Sequence, residues 1–356
     1  MSGTVFGDNC PLVVSPRQLF DLPPKSDVAV IDASWHMPNS PRKAREEFLK
    51  KRIPNAQFLD LDEAASPHEL GLKHMMPTGQ VFAKACQSLG ISPKSHVVLY
   101  DTHGVFSSPR ALFMFRALGH DRSSILNGGL PHWEANGCTV ETGEPKPVEP
   151  IEYPPPFLDQ EVIRSKCLHP LQYRFGLSFS IGYEQIISNA NRDPSTEPIA
   201  ELVLDARPKG RFVLELPYAH FHYQLNMPGL FRYLGTDPEP RPGLPSGHIP
   251  HSLSLPFTAF LDTNTYKPTP TSEEVTYTTL RSPHKIIESL RSALGDERLK
   301  EVMEGKRGVV TSCGSGMTAG VLWLGLKLLG VENVALYDES WTGYAARESS
   351  PIVKAN

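Results

Sequence analysis

The sequence has little cysteine, almost no excess of one charge sign and no long apolar run. Its five cysteines, Cys10, Cys86, Cys138, Cys167 and Cys313, are scattered over 356 residues. They form no C-x-x-C pair, which argues against a zinc site and against a disulfide framework. A formal net charge of -4 supplies no basic field for nucleic acid or a membrane surface. No apolar run reaches the roughly 20 residues that a membrane helix needs; the best stretch, 321–331, is interrupted by Lys327. Residues 1–14 contain no arginine and no extended apolar segment, so neither a transit peptide nor a secretory signal is expected. The cytosol is the default location, with mitochondria the alternative. What remains, 40% hydrophobic and 21% charged, is an ordinary globular composition of a length that suits about two domains.

What is present is a degenerate internal repeat. Val28-Ala29-Val30-Ile31-Asp32-Ala33 recurs as Leu202-Val203-Leu204-Asp205-Ala206, and Arg52-Ile53-Pro54-Asn55-Ala56 recurs as His248-Ile249-Pro250-His251-Ser252. His96-Val97-Val98-Leu99-Tyr100-Asp101 recurs as Gly308-Val309-Val310-Thr311-Ser312-Cys313, each copy leading into an apolar helix that ends at a glycine, Gly119 or Gly330. Ile125-Leu126-Asn127-Gly128-Gly129 with Trp133 parallels Ala335-Leu336-Tyr337-Asp338-Glu339 with Trp341. Four landmarks in one order make chance similarity a poor explanation. Short apolar strands alternating with helical patterns predict an α/β fold, with a parallel sheet flanked by helices in each half. The boundaries fall at 10–140 for the first domain, 141–157 for a Pro-rich linker and 158–347 for the second domain.

Only one cysteine lies where reactivity is expected. Cys86 sits in the helix-like stretch 82–89, where an inert buried thiol is the natural reading. Cys313 opens the loop Cys313-Gly314-Ser315-Gly316-Met317-Thr318, which follows a strand and precedes a helix over 319–329. Ligands bind at such strand ends in parallel sheets. The glycines permit a tight loop whose N–H groups point inward, and those dipoles would lower the pKa of Cys313 and cradle an anion. A thiolate held in that way is a nucleophile.

The loop resembles the active-site loop of the rhodanese superfamily, its mercaptopyruvate branch in particular, and the resemblance covers nearly the whole chain. Ile31-Asp32-Ala33-Ser34-Trp35, Phe106-Ser107-Ser108-Pro109-Arg110, Asp205-Ala206-Arg207, Gly235-Thr236-Asp237-Pro238-Glu239-Pro240-Arg241 and Ser246-Gly247-His248-Ile249-Pro250 carry it. The resemblance implies two tandem rhodanese-like domains, the first catalytically silent because Asp101 stands at the position equivalent to Cys313. It implies a sulfurtransferase that carries sulfur as a Cys313 persulfide, with Ser315, His74 and Asp62 moving protons. Gly314, Gly316, Met317 and Thr318 would line the substrate loop. Neutral residues after the cysteine favour a carboxylate-bearing donor, 3-mercaptopyruvate, over dianionic thiosulfate, the alternative donor. Two arginines nine positions apart, Arg232 and Arg241, match the family's carboxylate-binding pair, and an Arg fork suits that role. No cofactor and no metal are implied. The acceptor would be a small thiol, cyanide, thioredoxin or a sulfur-relay protein such as one serving tRNA thiolation, with no direct nucleic-acid or membrane contact. A Cys-dependent phosphatase would need an arginine six positions after the cysteine, where Ala319 stands. A non-catalytic binding module is disfavoured by the intact Cys313 and Ser315.

Two segments break the family pattern, 166–182 and 211–231. Both are rich in aromatic and apolar residues, unlike ordinary surface loops. They read as translated introns: Ser165-Lys166-Cys167 can be encoded with the donor sequence GTAAGT, and Leu225-Asn226 with the branch sequence CTAAC. On this reading both segments form poorly ordered excursions. It also bears on the site, because counting forward from Asp205-Ala206-Arg207 selects Arg211 and counting back from Arg241 selects Arg232. The intron reading selects Arg232.

Overall fold

The computed structural model describes residues 6, 10–23, 26–156, 180–207, 239 and 241–354. They fall into two units, one made of 1–180 with 260–282 and the other of 181–259 with 283–356.

The first unit is built on a five-stranded sheet of β1 (Val13–Val14), β2 (Val28–Asp32), β3 (Gln57–Phe58), β4 (His96–Tyr100) and β5 (Ser123–Leu126). The strand order is β1-β5-β4-β2-β3, with every pair parallel. Parallel sheets need cover on both faces, so central strands are apolar throughout; all five residues of β4 are buried. The cover comes from α1 (Pro16–Phe20), α2 (Ala44–Lys50), α3 (Gly79–Ser88), α4 (Ser108–Ala117) and α5 (Gly129–Ala135). Ser15 and Gln18 close a reciprocal capping box on α1, which satisfies two of its orphan N–H groups. Leu19, Phe48, Leu130 and Trp133 from α1, α2 and α5 pack on Val98, Tyr100 and Leu126 of the sheet.

The second unit repeats this plan. Its strands are β6 (Ser180–Ile181), β7 (Leu202–Asp205), β8 (Leu253–Ser254), β11 (Val309–Ser312) and β12 (Val334–Tyr337), in the order β6-β12-β11-β7-β8. Strand for strand, this is the order of the first sheet. The register repeats too: Asp32 lies opposite Tyr100, and Asp205 opposite Ser312. Left-handed backbone recurs at matching non-glycine positions, φ 62° at Asn55 and 59° at His251. The helices are α6 (Tyr183–Ala190), α7 (Pro283–Leu294), α8 (Asp296–Met303), α9 (Ala319–Leu328) and α10 (Ser340–Ala345). Gly119 and Gly330, just beyond α4 and α9, take φ of 81° and 79°, the conformation that stops a helix most cheaply at glycine. No helix among the described residues is long and apolar enough to cross a membrane.

The second stretch, 158–347, is not a single unit as expected. The antiparallel ribbon β9 (Leu261–Tyr266) and β10 (Val275–Leu280) groups with the first unit. A two-stranded ribbon cannot bury enough surface alone, and this one binds first-half groups. The Thr278 N–H donates to the His103 carbonyl at 3.1 Å, the Leu280 N–H to Asn127 Oδ1 at 2.9 Å, and the Tyr266 hydroxyl to Glu134 at 2.8 Å. The Tyr277 ring stacks on His132 with centroids 5.5 Å apart.

The linker is likewise tied down. Arg52 and Glu141 exchange backbone hydrogen bonds, and the Arg52 guanidinium donates to the carbonyls of Gly143 and Glu144.

The proposed insert 166–182 also needs correction at its end. Ser180–Ile181 form edge strand β6, Ile181 is 6% exposed within the second core, and Gly182 caps α6. Ile181 packs because an apolar residue ahead of the helix fills the edge position that Val14 fills in the first half. The rest of 166–179, and all of 211–231, lie outside the described residues.

Candidate active site

Cys313 directly follows β11 and is 2% exposed. Its N–H donates to Ser340 Oγ at 3.1 Å, and its carbonyl accepts from the Trp341 N–H at 3.0 Å. The next carbonyl, of Gly314, accepts both the N–H (2.9 Å) and the hydroxyl of Thr342. The start of α10 therefore grips the loop. Ser340 does this at φ 49°, and Gly129, which the sheet register matches to Ser340 one residue on from the sequence pairing, has φ 54°. Gly316 turns the loop with φ 82°. The N–H groups of Gly314, Gly316, Met317 and Thr318 have no hydrogen-bond acceptor among the described residues. Ser315 is half-buried in the same loop.

The first half shows what such a loop binds. Asp101 occupies the position of Cys313 and is fully buried. Its Oδ1 accepts the N–H groups of His103 and Gly104, both at 2.9 Å. Its Oδ2 accepts those of Phe106, Ser107 and Ser108 at 2.9, 3.1 and 2.9 Å, with the Ser108 hydroxyl at 2.7 Å. Five converging N–H dipoles form an anion nest, here filled by an internal carboxylate. By the repeat, His103, Gly104 and Phe106 correspond to Ser315, Gly316 and Thr318.

His74 and Asp62, both in the first unit, are brought together. His74 Nδ1 lies 2.9 Å from Asp62 Oδ1, which assigns the ring proton to Nδ1 because the carboxylate can only accept. The Trp35 indole donates to Asp62 Oδ2 at 3.3 Å and meets the His74 ring edge-on, with centroids 5.1 Å apart. Arg110 Nη2 donates to the His74 carbonyl at 2.7 Å. These contacts hold His74 at φ 47°, a conformation that costs a non-glycine residue about 1 kcal/mol or more. Burial pushes the Asp62 carboxyl up, but the hydrogen bonds from His74 and Trp35 outweigh it and hold the group below its usual value.

Arg241 lies against the loop. A Cβ built on Gly314 would stand 3.1 Å from both Nη1 and Nη2 of Arg241. Nη1 donates to Glu239 Oε1 at 2.9 Å, and the Glu239 side chain is only 1% exposed. Arg232 and Arg211 lie outside the described residues. Cys86 is 1% exposed, and burial pushes its thiol up, away from reactivity.

The sequence reading assigned no role to Trp35, Arg110, Glu239, Ser340 or Thr342. The first three stand inside family-like segments, so a signal existed for them. Ser340 and Thr342 act through backbone geometry that no spacing reveals.

The rhodanese-like domain model matches residues 15–136 and 188–347. The chain is 34% identical to rat (Rattus norvegicus) 3-mercaptopyruvate sulfurtransferase over 320 residues, 89% of this chain and 85% of that protein. It is 33% identical to the mitochondrial thiosulfate/3-mercaptopyruvate sulfurtransferase 1 of Arabidopsis thaliana, over 92% of this chain and 74% of that one. The Tum1 protein of Saccharomyces cerevisiae superposes with a TM-score of 0.70 at 26% identity, covering 97% of this chain and 99% of the other. The chain belongs to the rhodanese family, with two rhodanese domains and relatives that are sulfurtransferases.

Proposed function

We propose that the chain transfers sulfur from 3-mercaptopyruvate to a thiol acceptor through a persulfide on Cys313. The Cys313 thiolate attacks the donor's sulfur, and the donor's C–S bond breaks with its electron pair passing to carbon. Pyruvate leaves as the enolate and takes up a proton, in a relay we assign to Ser315, His74 and Asp62. An acceptor thiolate, from a small thiol, thioredoxin or a sulfur-relay protein, then attacks the outer sulfur, and the Cys313 thiolate departs.

The observation that carries this reading is the pair of matching loops. The first-half loop directs five N–H groups onto the Asp101 carboxylate. The corresponding N–H groups of Gly316 and Thr318 have no acceptor within the described protein, so the second loop suits an anionic sulfur on Cys313. The carboxylate-bearing donor is supported by Arg241 beside Gly314.

The test is to treat the protein with 3-mercaptopyruvate and map added sulfur by peptide mass spectrometry. One sulfur on the Cys313 peptide, and loss of pyruvate release in Cys313→Ser, are the expected results. Sulfur on Cys86 instead would overturn the assignment. Relative kcat/KM with thiosulfate separates the two donors.

A further inference from the structure

Arg42 stands in the first half as Arg241 stands in the second. Thr102 follows Asp101 as Gly314 follows Cys313. The Arg42 guanidinium rests on Thr102, its Nη2 donating to Oγ1 at 2.9 Å. Arg241 rests on Gly314, where a built Cβ would lie 3.1 Å from Nη1 and from Nη2. Spacing does not disclose the match: Arg42 precedes the Arg52-Ile53-Pro54 landmark by ten residues, and Arg241 precedes His248-Ile249-Pro250 by seven.

In the first half this arginine already holds a carboxylate. Arg42 Nε donates to Glu47 Oε1 at 2.9 Å and Nη2 donates to Oε2 at 2.6 Å, the two-pronged pairing of guanidinium with carboxylate. Nη1 lies 3.2 Å from Nε2 of His103, the counterpart of Ser315; a guanidinium only donates, so the ring accepts. His36 Nε2 lies 3.3 Å from Glu47 Oε2. Burial pushes the Glu47 carboxyl up, but the hydrogen bonds and charges of His36 and Arg42 outweigh it and hold it at about 2. Glu47 is therefore an anion at any working pH.

We propose that Arg42 is the centre of a carboxylate-binding site, the first-half copy of the donor site, and that Glu47 is its resident ligand. The correspondence rests on the reading of Arg241 as the partner of the donor's carboxylate. Each anionic group that a donor brings has an internal substitute in the first half. Asp101 sits where the sulfur anion would, held by the loop N–H groups, and Glu47 sits where the donor's carboxylate would. The first half is thus closed to donor by occupation at two points, as well as by the absence of the cysteine. The seat itself is within reach of small solutes, since the Arg42 and Glu47 side chains are 23% and 27% exposed. Its ligand class is the small monocarboxylate.

The experiment is to remove the resident ligand in the full chain with Glu47→Ala and to supply acetate. Saturating acetate should raise the melting temperature of the variant by about 2–4 °C, with chloride and acetamide at the same concentration as controls. Wild type should shift less than half as much, and Glu47→Ala combined with Arg42→Gln should lose the gain. An ordinary ion pair provides a further control. Glu301 meets Arg307 Nε through one oxygen at 3.0 Å, and Glu301→Ala should not be rescued by acetate.

If Glu47→Ala does not fold unaided, its refolding yield in acetate against chloride gives the same answer. No carboxylate-dependent gain, or an equal gain without Arg42, would overturn the proposal. Wild type failing to take sulfur from mercaptopyruvate would instead overturn the reading of Arg241, and with it the claim that this seat is a copy of a donor site.

Discussion

Asp32 and Asp205 occupy the same place in the two sheets, but only one has a cation. Asp205 is paired with Arg207, whose Nη2 lies 2.6 Å from Oδ2 and whose guanidinium also lies 4.4 Å from the centre of the Trp341 ring. At Asp32 the residue two positions on is Ser34, whose N–H donates at 2.8 Å, and Oδ2 has no hydrogen bond among the described residues. Burial pushes the Asp32 carboxyl up from 3.8 to about 7, with the hydrogen bonds from Ser34 only partly opposing it. Because the folded value is the higher one, the fold favours the protonated carboxyl. The stability it contributes is complete below about pH 4 and is lost as pH rises through about 7. At roughly 1.4 kcal/mol per unit, the penalty at pH 8 is on the order of 2–4 kcal/mol. Asp32→Asn keeps the acceptor for Ser34 and should be more stable than wild type by that amount at pH 8, with little advantage at pH 4. Urea unfolding at both pH values measures it, and an equal difference at the two would reject the account.

At the scale of elements, the two loops that leave β4 and β11 share one backbone plan with different contents. The first is sealed twice. Asp101 fills it from within, and β10 covers it from outside. Gly104 has φ 109°, and a Cβ there would lie 2.2 Å from the Thr278 carbonyl oxygen. The Thr278 hydroxyl in turn accepts the Val105 N–H at 3.1 Å. Asp101→Ala strips five N–H groups of their acceptor and should destabilise the protein by about 3–5 kcal/mol, read by denaturant titration. Asp101→Cys should acquire no sulfur from donor, because β10 closes the loop's outer side; a mapped persulfide at position 101 would show that the cover does not matter. Sequence comparison places Asp101 at the position of Cys313. It does not reveal that the carboxylate has become the loop's internal ligand.

For the whole molecule, the reading of the two breaks in the family pattern as translated introns is tested by deletion. Deleting 166–182 joins Ser165 to Tyr183 and puts Ile163 and Arg164 at the positions of Ser180 and Ile181, with Val162-Ile163 one residue short of the sheet edge. If the segment is a translated intron, that variant should be at least as stable as wild type, because a one-residue adjustment lets Val162 and Ile163 form the edge strand. If Ile181 is the native strand residue, removing it should lower the melting temperature by several degrees, as loss of one buried aliphatic side chain does. Deleting 211–231 should bring Gly210 next to Arg232 and raise activity on mercaptopyruvate. Sequencing the mature transcript gives an independent answer, since uniform retention of both segments would defeat the intron reading.

Much of this protein is legible in its sequence because the information is local. The alternation of apolar strands with helical stretches, the doubled landmarks and the glycine-bracketed Cys313 each sit within a few consecutive residues, where periodicity and backbone freedom act directly. The pairing of His74 with Asp62 was legible through family resemblance and is closed by the structure at 2.9 Å. Tertiary structure alone decided the rest. The ribbon 261–280 joins the first unit through contacts such as Val105 with Thr278, which stand 173 residues apart. Arg241 reaches Gly314 only because the chain returns to the loop from far away in sequence. Contacts of that kind depend on which surfaces meet after folding, and no residue pattern short of the fold itself encodes them.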